Sequence, residues 1–345
     1  MLIFSLEPGN PFARTLADAL NVPLSPHEER LFDDGERKLR PLVDPCGADA
    51  YVVLSLHGGP LDSPHDKLCR LLMFIGTLKD HGAARVTALV PYIAYARKDL
   101  RTKPYDPLGL RYVAQWLESA GMTQLIVLEA HNAAALQNAF RCPTIHLSAH
   151  HAFWPMAREM ARQGPIAVAS PDPGGVKRAL LWREALEAQL REPVRFAMVD
   201  KRRSAGVVSG GELVAGDVAG ATVLLLDDLI AAGDTMLRGA RALRRAGAKA
   251  VVGCAAHGLF VGQASQALAC DDLSRLIVTD SVPPFRLPEG GPVRARLDVA
   301  SVVPMFAEAL SANHAAWRHQ ASRIHAPFQA VQGSCCVDQV AGGLG

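Results

Sequence analysis

The residues of this chain best suited to chemistry are two adjacent carboxylates, Asp227 and Asp228, in the stretch TVLLLDDLIAAGDT at 222–235. An apolar strand runs into the pair. A small-residue loop follows (Ala231, Ala232, Gly233, Asp234), then Thr235, which can cap the next helix. Backbone N–H groups of such a loop, together with a helix N-terminus, can wrap a phosphate. Carboxylates at the strand end can accept hydrogen bonds from ribose hydroxyls, each charge-assisted bond contributing about 1.5–3 kcal/mol. A lone Asp-Asp pair after a strand reads as an ordinary βα turn. The full order of strand, carboxylates, small loop, Thr and helix points instead to a site for a phosphorylated sugar.

The elements that must position this loop follow from hydrophobic pattern. Near-continuous runs of Val, Ile, Leu and Ala at 51–56, 86–90, 125–128, 166–170, 194–199, 223–226 and 250–255 predict strands covered on both faces. Helical patterns lie between them at 67–79, 108–119, 176–190 and 236–246, the last closed by Gly247. Alternation of this kind predicts parallel sheets joined by crossover helices, an α/β class. Ligands of such sheets sit outside the carboxyl ends of the strands. The two halves look alike, with a boundary near the SAHHAFWP segment at 148–155, so the expected domains are 1–148 and 149–312. Residues 313–345 are expected to form a loose tail.

Composition narrows the class. Hydrophobic residues are 49% and charged residues 20% of 345, which suits two cores and excludes disorder. A net charge of +2 gives no general attraction to nucleic acid, so any anion site is local. No stretch approaches the ~20 apolar residues of a spanning helix, and MLIFSLEPGN has no basic region or cleavage pattern. The expectation is a soluble cytoplasmic protein binding neither nucleic acid nor membrane. Cysteines at 46, 69, 142, 254, 270, 335 and 336 are widely spaced without a CxxC pair, and are expected mostly as small core residues.

Beyond the loop, FDDGE at 32–36, PYIAYARKD at 91–99, SPDPGGVKR at 170–178, DKRR at 200–203 and GDVAG at 216–220 occur in a specific order. The loop resembles the phosphoribosyl pyrophosphate loop of type I phosphoribosyltransferases. The five strings in this order resemble the ribose-phosphate diphosphokinases over about residues 1–312. The resemblance implies two similar phosphoribosyltransferase-type domains, each a mostly parallel sheet flanked by helices. It also implies transfer of the diphosphoryl group of ATP to the anomeric hydroxyl of ribose 5-phosphate, with Mg2+ and an oligomer, a hexamer in that family.

Roles carry over residue by residue. The resemblance makes His131 and Asp172 the metal-site residues; on its own His131 reads as a capping or core histidine, since magnesium prefers oxygen ligands. Lys201 and Arg203 match basic residues of a mobile catalytic loop running to about Glu212, and would hold the transferring oxygens. Arg97 and Lys98 match a pair beside the ATP, with Lys98 in place of a glutamine. Phe32, Asp34 and Glu36 resemble a segment reaching the adenine of a neighbouring subunit. Asp227, Asp228, Ala231, Ala232, Gly233, Asp234 and Thr235 would hold ribose 5-phosphate.

Three departures stand out. Glu129 replaces an aspartate, Ala232 removes a hydroxyl, and Asp234 puts a carboxylate where a glycine and a phosphate are expected. A non-catalytic regulatory paralogue and a phosphoribosyltransferase are the alternative readings. The second leaves FDDGE and PYIAYARKD unexplained.

Overall fold

The computed structural model of the chain describes residues 1–7, 9–204 and 207–324, and side chains within them outside 201–212 and 321–324. Strand β1 (Leu2–Ser5) opens the chain, and β2 (His27–Leu31) and β3 (Arg37–Pro41) pair as a separate antiparallel hairpin. With β4 (Asp49–Val53), β5 (Arg85–Val90), β6 (Gln124–Leu128) and β7 (Thr144–Leu147), β1 builds a parallel sheet in the order β1-β4-β5-β6-β7. The second sheet comprises β8 (Ile166–Ser170), β9 (Arg195–Ser204), β10 (Val207–Gly216), β11 (Thr222–Ile230), β12 (Ala250–Gly258), β13 (Arg275–Thr279) and β14 (Leu297–Ala300). Its order is β10-β9-β8-β11-β12-β13-β14, parallel except for the β9–β10 edge pair.

Each apolar run divides its side chains between two faces, as a period of two requires. In β4, Tyr51 and Val53 face one cluster and Ala50 and Val52 another. In β11, Leu224 and Leu226 face that same first cluster while Val223 and Leu225 face a third. The inner faces of both sheets therefore share one core, and each sheet has an outer core of its own. Two cores were expected. The shared one arises because both sheets are apolar on both faces and must cover the inner ones against each other.

Helices fill these layers. The first half contributes α1 (Pro11–Ala19), α2 (Pro64–Asp80), α3 (Gly109–Ser119) and α4 (Ala133–Ala139). The second contributes α5 (Trp154–Arg162), α6 (Val176–Leu190), α7 (Asp234–Arg245), α8 (Ala264–Ala267) and α9 (Val303–Ile324). Starts are set locally: Ser63 and Asp66 form a capping box around Pro64 at the start of α2, and the Asn132 side chain accepts from Ala134 N and Ala135 N to begin α4. Helices α1 and α9 pack together, with the Phe12 and Phe306 rings edge to face at 5.4 Å.

Three expectations need correction here. Residues 313–324 are helix, not loose tail, because Asp49 anchors them; residues 325–345, with Cys335 and Cys336, lie outside the described residues. Buried Asp49 accepts from Arg85 Nε and Nη2, both at 2.7 Å, from Tyr51 at 2.8 Å and from His314 at 2.7 Å. The segment expected as a catalytic loop runs instead as the antiparallel pair β9–β10, irregular between Val208 and Glu212, with 205–206 outside the described residues. Among the described cysteines only Cys254 is buried; Cys46 and Cys69 are exposed, because they fall on a turn and on the outer side of α2.

Removing Asp49 leaves the Arg85 guanidinium without its carboxylate in a mostly buried place. Asp49→Leu is expected to cost about 3–5 kcal/mol, read as a lower urea midpoint. Earlier proteolysis of α9 should accompany it.

Candidate active site

The carboxyl ends of β6, β8 and β11 meet where the two halves join, and the sequence-identified acids gather there. Strand β11 is longer than its apolar run, so Asp227 and Asp228 lie within it. Their position still opens onto solvent on one side: β8 stops pairing at Leu225, whereas β12 pairs on to Ile230. One flank of the acid pair is therefore free of a neighbouring strand.

A cavity of about 290 Å³ is lined by Arg97, His131, Asp172 and residues 227–236. A larger one of about 850 Å³ shares His131, Asp172, Asp227 and Asp228 and extends past Asp99, Arg178 and Asp200. The chain thus brings together His131, Asp172, Arg97 and the whole 227–235 loop. Lys98 is turned away, its ammonium 2.6 Å from Asp106. Phe32, Asp34 and Glu36 form the exposed tip of the β2–β3 hairpin and line neither cavity. There Phe32 N donates to Glu36 O at 2.8 Å, and the Arg30 guanidinium lies 4.9 Å from the Phe32 ring centre. The side chains of Lys201 and Arg203 lie outside the described residues.

The loop after β11 is shaped by Gly233. Its φ is 89°, and a Cβ there would meet Leu268 Cγ at 2.8 Å, so both backbone and space demand glycine. Gly233 is also the N-cap of α7, which corrects the expectation for Thr235: that residue lies inside the first turn and does not cap. Asp234 is the first residue of α7, exposed and helical, so its carboxylate stands at the positive end of the helix dipole. The left-handed position of this loop is Gly233, not Asp234.

The central polar contact crosses between halves. His131 Nδ1 lies 2.6 Å from Asp228 Oδ2, 97 residues apart in sequence. Arg178 stands behind it, with Nε 3.0 Å from Glu129 Oε1, Nη2 2.9 Å from His131 O, and Nη1 3.8 Å from Asp228 Oδ1. The hydrogen bond that His131 donates to Asp228 raises the His131 pKa. Burial works to raise the pKa of Asp228, but His131 and Arg178 hold it well below the usual carboxylate range. Asp227 is pushed well up, by burial first and then by the charge of Asp228. One carboxylate of the pair is firmly ionised while the other resists ionisation until a cation approaches.

The donor set suits a hard cation. Asp172, Asp227 and Asp228 supply oxygens around one cavity. With Nδ1 donating to Asp228, His131 keeps its Nε2 lone pair, the arrangement in which a carboxylate orients a metal-binding imidazole. Among the described residues no group of three or more ligands is already gathered. Magnesium commonly binds through one or two carboxylates and completes its shell with water and phosphate oxygens.

Sequence reasoning missed Arg178 and His257. Arg178 lies inside the SPDPGGVKR string, which by itself gives it no role, and the replacement of an aspartate by Glu129 names no partner. The structure supplies the partners: Arg178 on one oxygen and Ala149 N, at 2.9 Å, on the other.

Comparison with known proteins places these features. Residues 1–121 match the family model for the N-terminal domain of ribose phosphate pyrophosphokinase. Residues 143–258 match the phosphoribosyl transferase domain and 210–309 the phosphoribosyl synthetase-associated domain. A ribose-phosphate pyrophosphokinase of Caldanaerobacter subterraneus subsp. tengcongensis is 32% identical over 312 residues, covering 90% of this chain and 94% of that protein. Ribose-phosphate pyrophosphokinase 2 of Enterococcus faecalis is 35% identical over 282 residues, covering 81% and 84%. The crystal structure of phosphoribosylpyrophosphate synthetase from Mycobacterium smegmatis superposes with a TM-score of 0.79 at 31% identity, covering 91% of this chain and 98% of that one.

The pair His131–Asp228 sets a pH window. A raised folded pKa makes the His131 contribution complete below about 6.5 and lost as pH rises through the folded value. A depressed folded pKa makes the Asp228 contribution present above about 3.9 and lost as pH falls through the folded value. Both operate together between about 4 and 6.5. Asp228→Asn is expected to bring the His131 titration, followed by ring-proton NMR, down toward about 6.5. A His131 curve that stays put in the variant would remove the ion pair.

Proposed function

The chain belongs to the ribose-phosphate pyrophosphokinase family, and from that membership we propose that it transfers the diphosphoryl group of ATP to the anomeric hydroxyl of ribose 5-phosphate, releasing AMP. The observation that carries the reading is the cross-half cavity, where His131, Asp172, Asp227 and Asp228 meet beside the loop entering α7. In the reaction the anomeric oxygen bonds to the β-phosphorus and gives up its proton. The bond from that phosphorus to the bridging oxygen of the α-phosphate breaks, leaving AMP.

Each role is assigned as part of this proposal. Asp227 and Asp228 accept hydrogen bonds from the ribose hydroxyls, and the backbone of residues 231–235 wraps the 5-phosphate at the start of α7. Arg97, exposed at the cavity wall, meets the ATP phosphates; Lys98 joins it by leaving Asp106. Phe32, Asp34 and Glu36, at a hairpin tip that lines neither of the two cavities, serve the adenine of a neighbouring copy, which makes the working unit a homo-oligomer. His131 and Asp172 hold Mg2+, which when bound neutralises phosphate charge. Lys201 and Arg203 stabilise the transferring oxygens. Asp200, the residue before Lys201 on β9, lines the larger cavity. The units are proposed to divide near 148. Among the described residues no helix is long and apolar enough to cross a membrane, and a cytoplasmic location is part of the proposal.

Formation of AMP and phosphoribosyl pyrophosphate from ATP, ribose 5-phosphate and magnesium tests the reading. Lys201→Ala is expected to lower kcat by about 10²–10³, the cost of one preorganised donor. Turnover unchanged in that variant would end the role given to Lys201, and no turnover in either protein would leave a regulatory paralogue.

Asp234 makes a separate forecast. Its carboxylate and a phosphate compete for the same helix end, at about 1 kcal/mol for charges 4 Å apart in water. Asp234→Asn is expected to lower the KM for ribose 5-phosphate about fivefold with kcat little changed. An unaltered KM would mean that the carboxylate faces away from the sugar.

A further inference from the structure

The corner that carries His131 is strained and is held from outside. Glu129 has φ 38°, in the left-handed region that side chains of its kind seldom adopt. Such backbone persists where its surroundings over-determine it. Glu129 N donates to Leu147 O at 2.8 Å, within its own half. Its carbonyl oxygen and carboxylate are gripped by the other half: His257 Nε2 lies 3.2 Å from Glu129 O, and Arg178 Nε 3.0 Å from Oε1. Arg178 Nη2 then donates to His131 O at 2.9 Å, so the same guanidinium spans the corner and the residue after it.

His257 is the penultimate residue of β12, deep in the protein. A carbonyl oxygen only accepts, so the hydrogen toward Glu129 is on Nε2, and in the neutral ring Nδ1 accepts from the Ser281 hydroxyl at 2.8 Å. Burial lowers the His257 pKa and keeps the ring in that state. The Ser281 carbonyl in turn accepts from Ser55 of the first half at 2.7 Å. The Tyr92 ring closes over the imidazole edge to face at 5.0 Å. Ser55, Ser281, His257 and Glu129 thus form a polar line that crosses between the halves twice and stops two residues short of His131.

We propose that His257 is a positioning residue: with Arg178 it fixes the left-handed Glu129 corner so that His131 meets Asp228 across the halves. The proposal rests on the diphosphokinase reading of the same cavity. His257 lines no part of the 290 Å³ cavity and acts on the reaction through Glu129. Displacement of a catalytic group by about 1 Å can cost 10²-fold in rate, and outer partners of metal-site residues typically carry 10–100-fold.

The experiment compares His257→Leu and His257→Gln with the unaltered protein. Leu fills the space without a donor; Gln offers an amide N–H at the reach of Nε2. Steady-state kinetics, thermal melting and the ring 15N–1H correlation of His131, assigned with His131→Gln, are the readouts. The Leu variant should stay folded, lose about 10–100-fold in kcat with the KM of both substrates nearly constant, and lose or shift the His131 Nδ1–H resonance. The Gln variant should recover most of the rate and the resonance. A Leu variant that retains both kcat and the resonance overturns the proposal, as does a folded Gln variant that recovers neither. If the Leu variant does not fold, Arg178→Lys replaces it with the same expected loss, and an undisturbed resonance there overturns the proposal. Absence of turnover in the unaltered protein would strike the diphosphokinase reading alone, and the resonance would still decide the role of His257.

Discussion

Everything at the site depends on the shared inner core. Ile3, Tyr51, Leu89 and Ile126 of one sheet pack in the same cluster as Val168, Leu224, Val252 and Ile277 of the other. Burying one such side chain contributes about 1.5–3 kcal/mol, against about 0.5–1.5 kcal/mol net for an intramolecular hydrogen bond. The apolar term therefore holds the halves together, and the polar contacts across their junction set the finer geometry. Trp182 of α6 and Phe153, the residue before α5, with ring centres 5.9 Å apart, extend that cluster. Because the two sheets are held face to face, the ends of β6 and β11 come within one hydrogen bond of each other at His131 and Asp228.

The price of that junction is charge. Asp172, Asp227, Asp228 and Asp234 border one small cavity, with Arg97 as the permanent cation among its described lining residues. Arg178 and His131 stabilise Asp228, and Asp227 is left in an environment that opposes its ionisation. An acidic pocket of this kind is poorly suited to naked phosphates and well suited to phosphates accompanied by cations. On the proposed function, the divalent ion and the basic residues Lys201 and Arg203 supply the positive charge that this cavity lacks.

Much of this was legible in the sequence. The seven apolar runs and four helical patterns correspond to strands and helices of the structure, because fully covered parallel strands are near-continuous in Val, Ile, Leu and Ala. The 222–235 loop was legible because strand, acids, small residues and helix follow one another directly. Short edge elements were not, since β1, β7 and β14 each hold four residues and carry little periodicity. Nor was the anchoring of α9: Asp49 and His314 are 265 residues apart, and nothing local in either marks the other. The Glu129 corner escaped for the same reason. Its conformation is imposed by His257 and Arg178, 128 and 49 residues away.

The proposed phosphate role of the 231–235 loop asks little of its side chains. Ala231 and Ala232 offer no side-chain donors, so on that proposal the loop would bind through backbone N–H groups and the helix end, which depend on conformation more than on side-chain identity. Gly233 secures that conformation through its positive φ and its contact with Leu268. Asp234 then changes the electrostatics of the loop without changing its shape, because a helical first-turn residue needs no special backbone. Shape and charge are separable here. The fold fixes the first through Gly233, while the second is left to one exposed side chain.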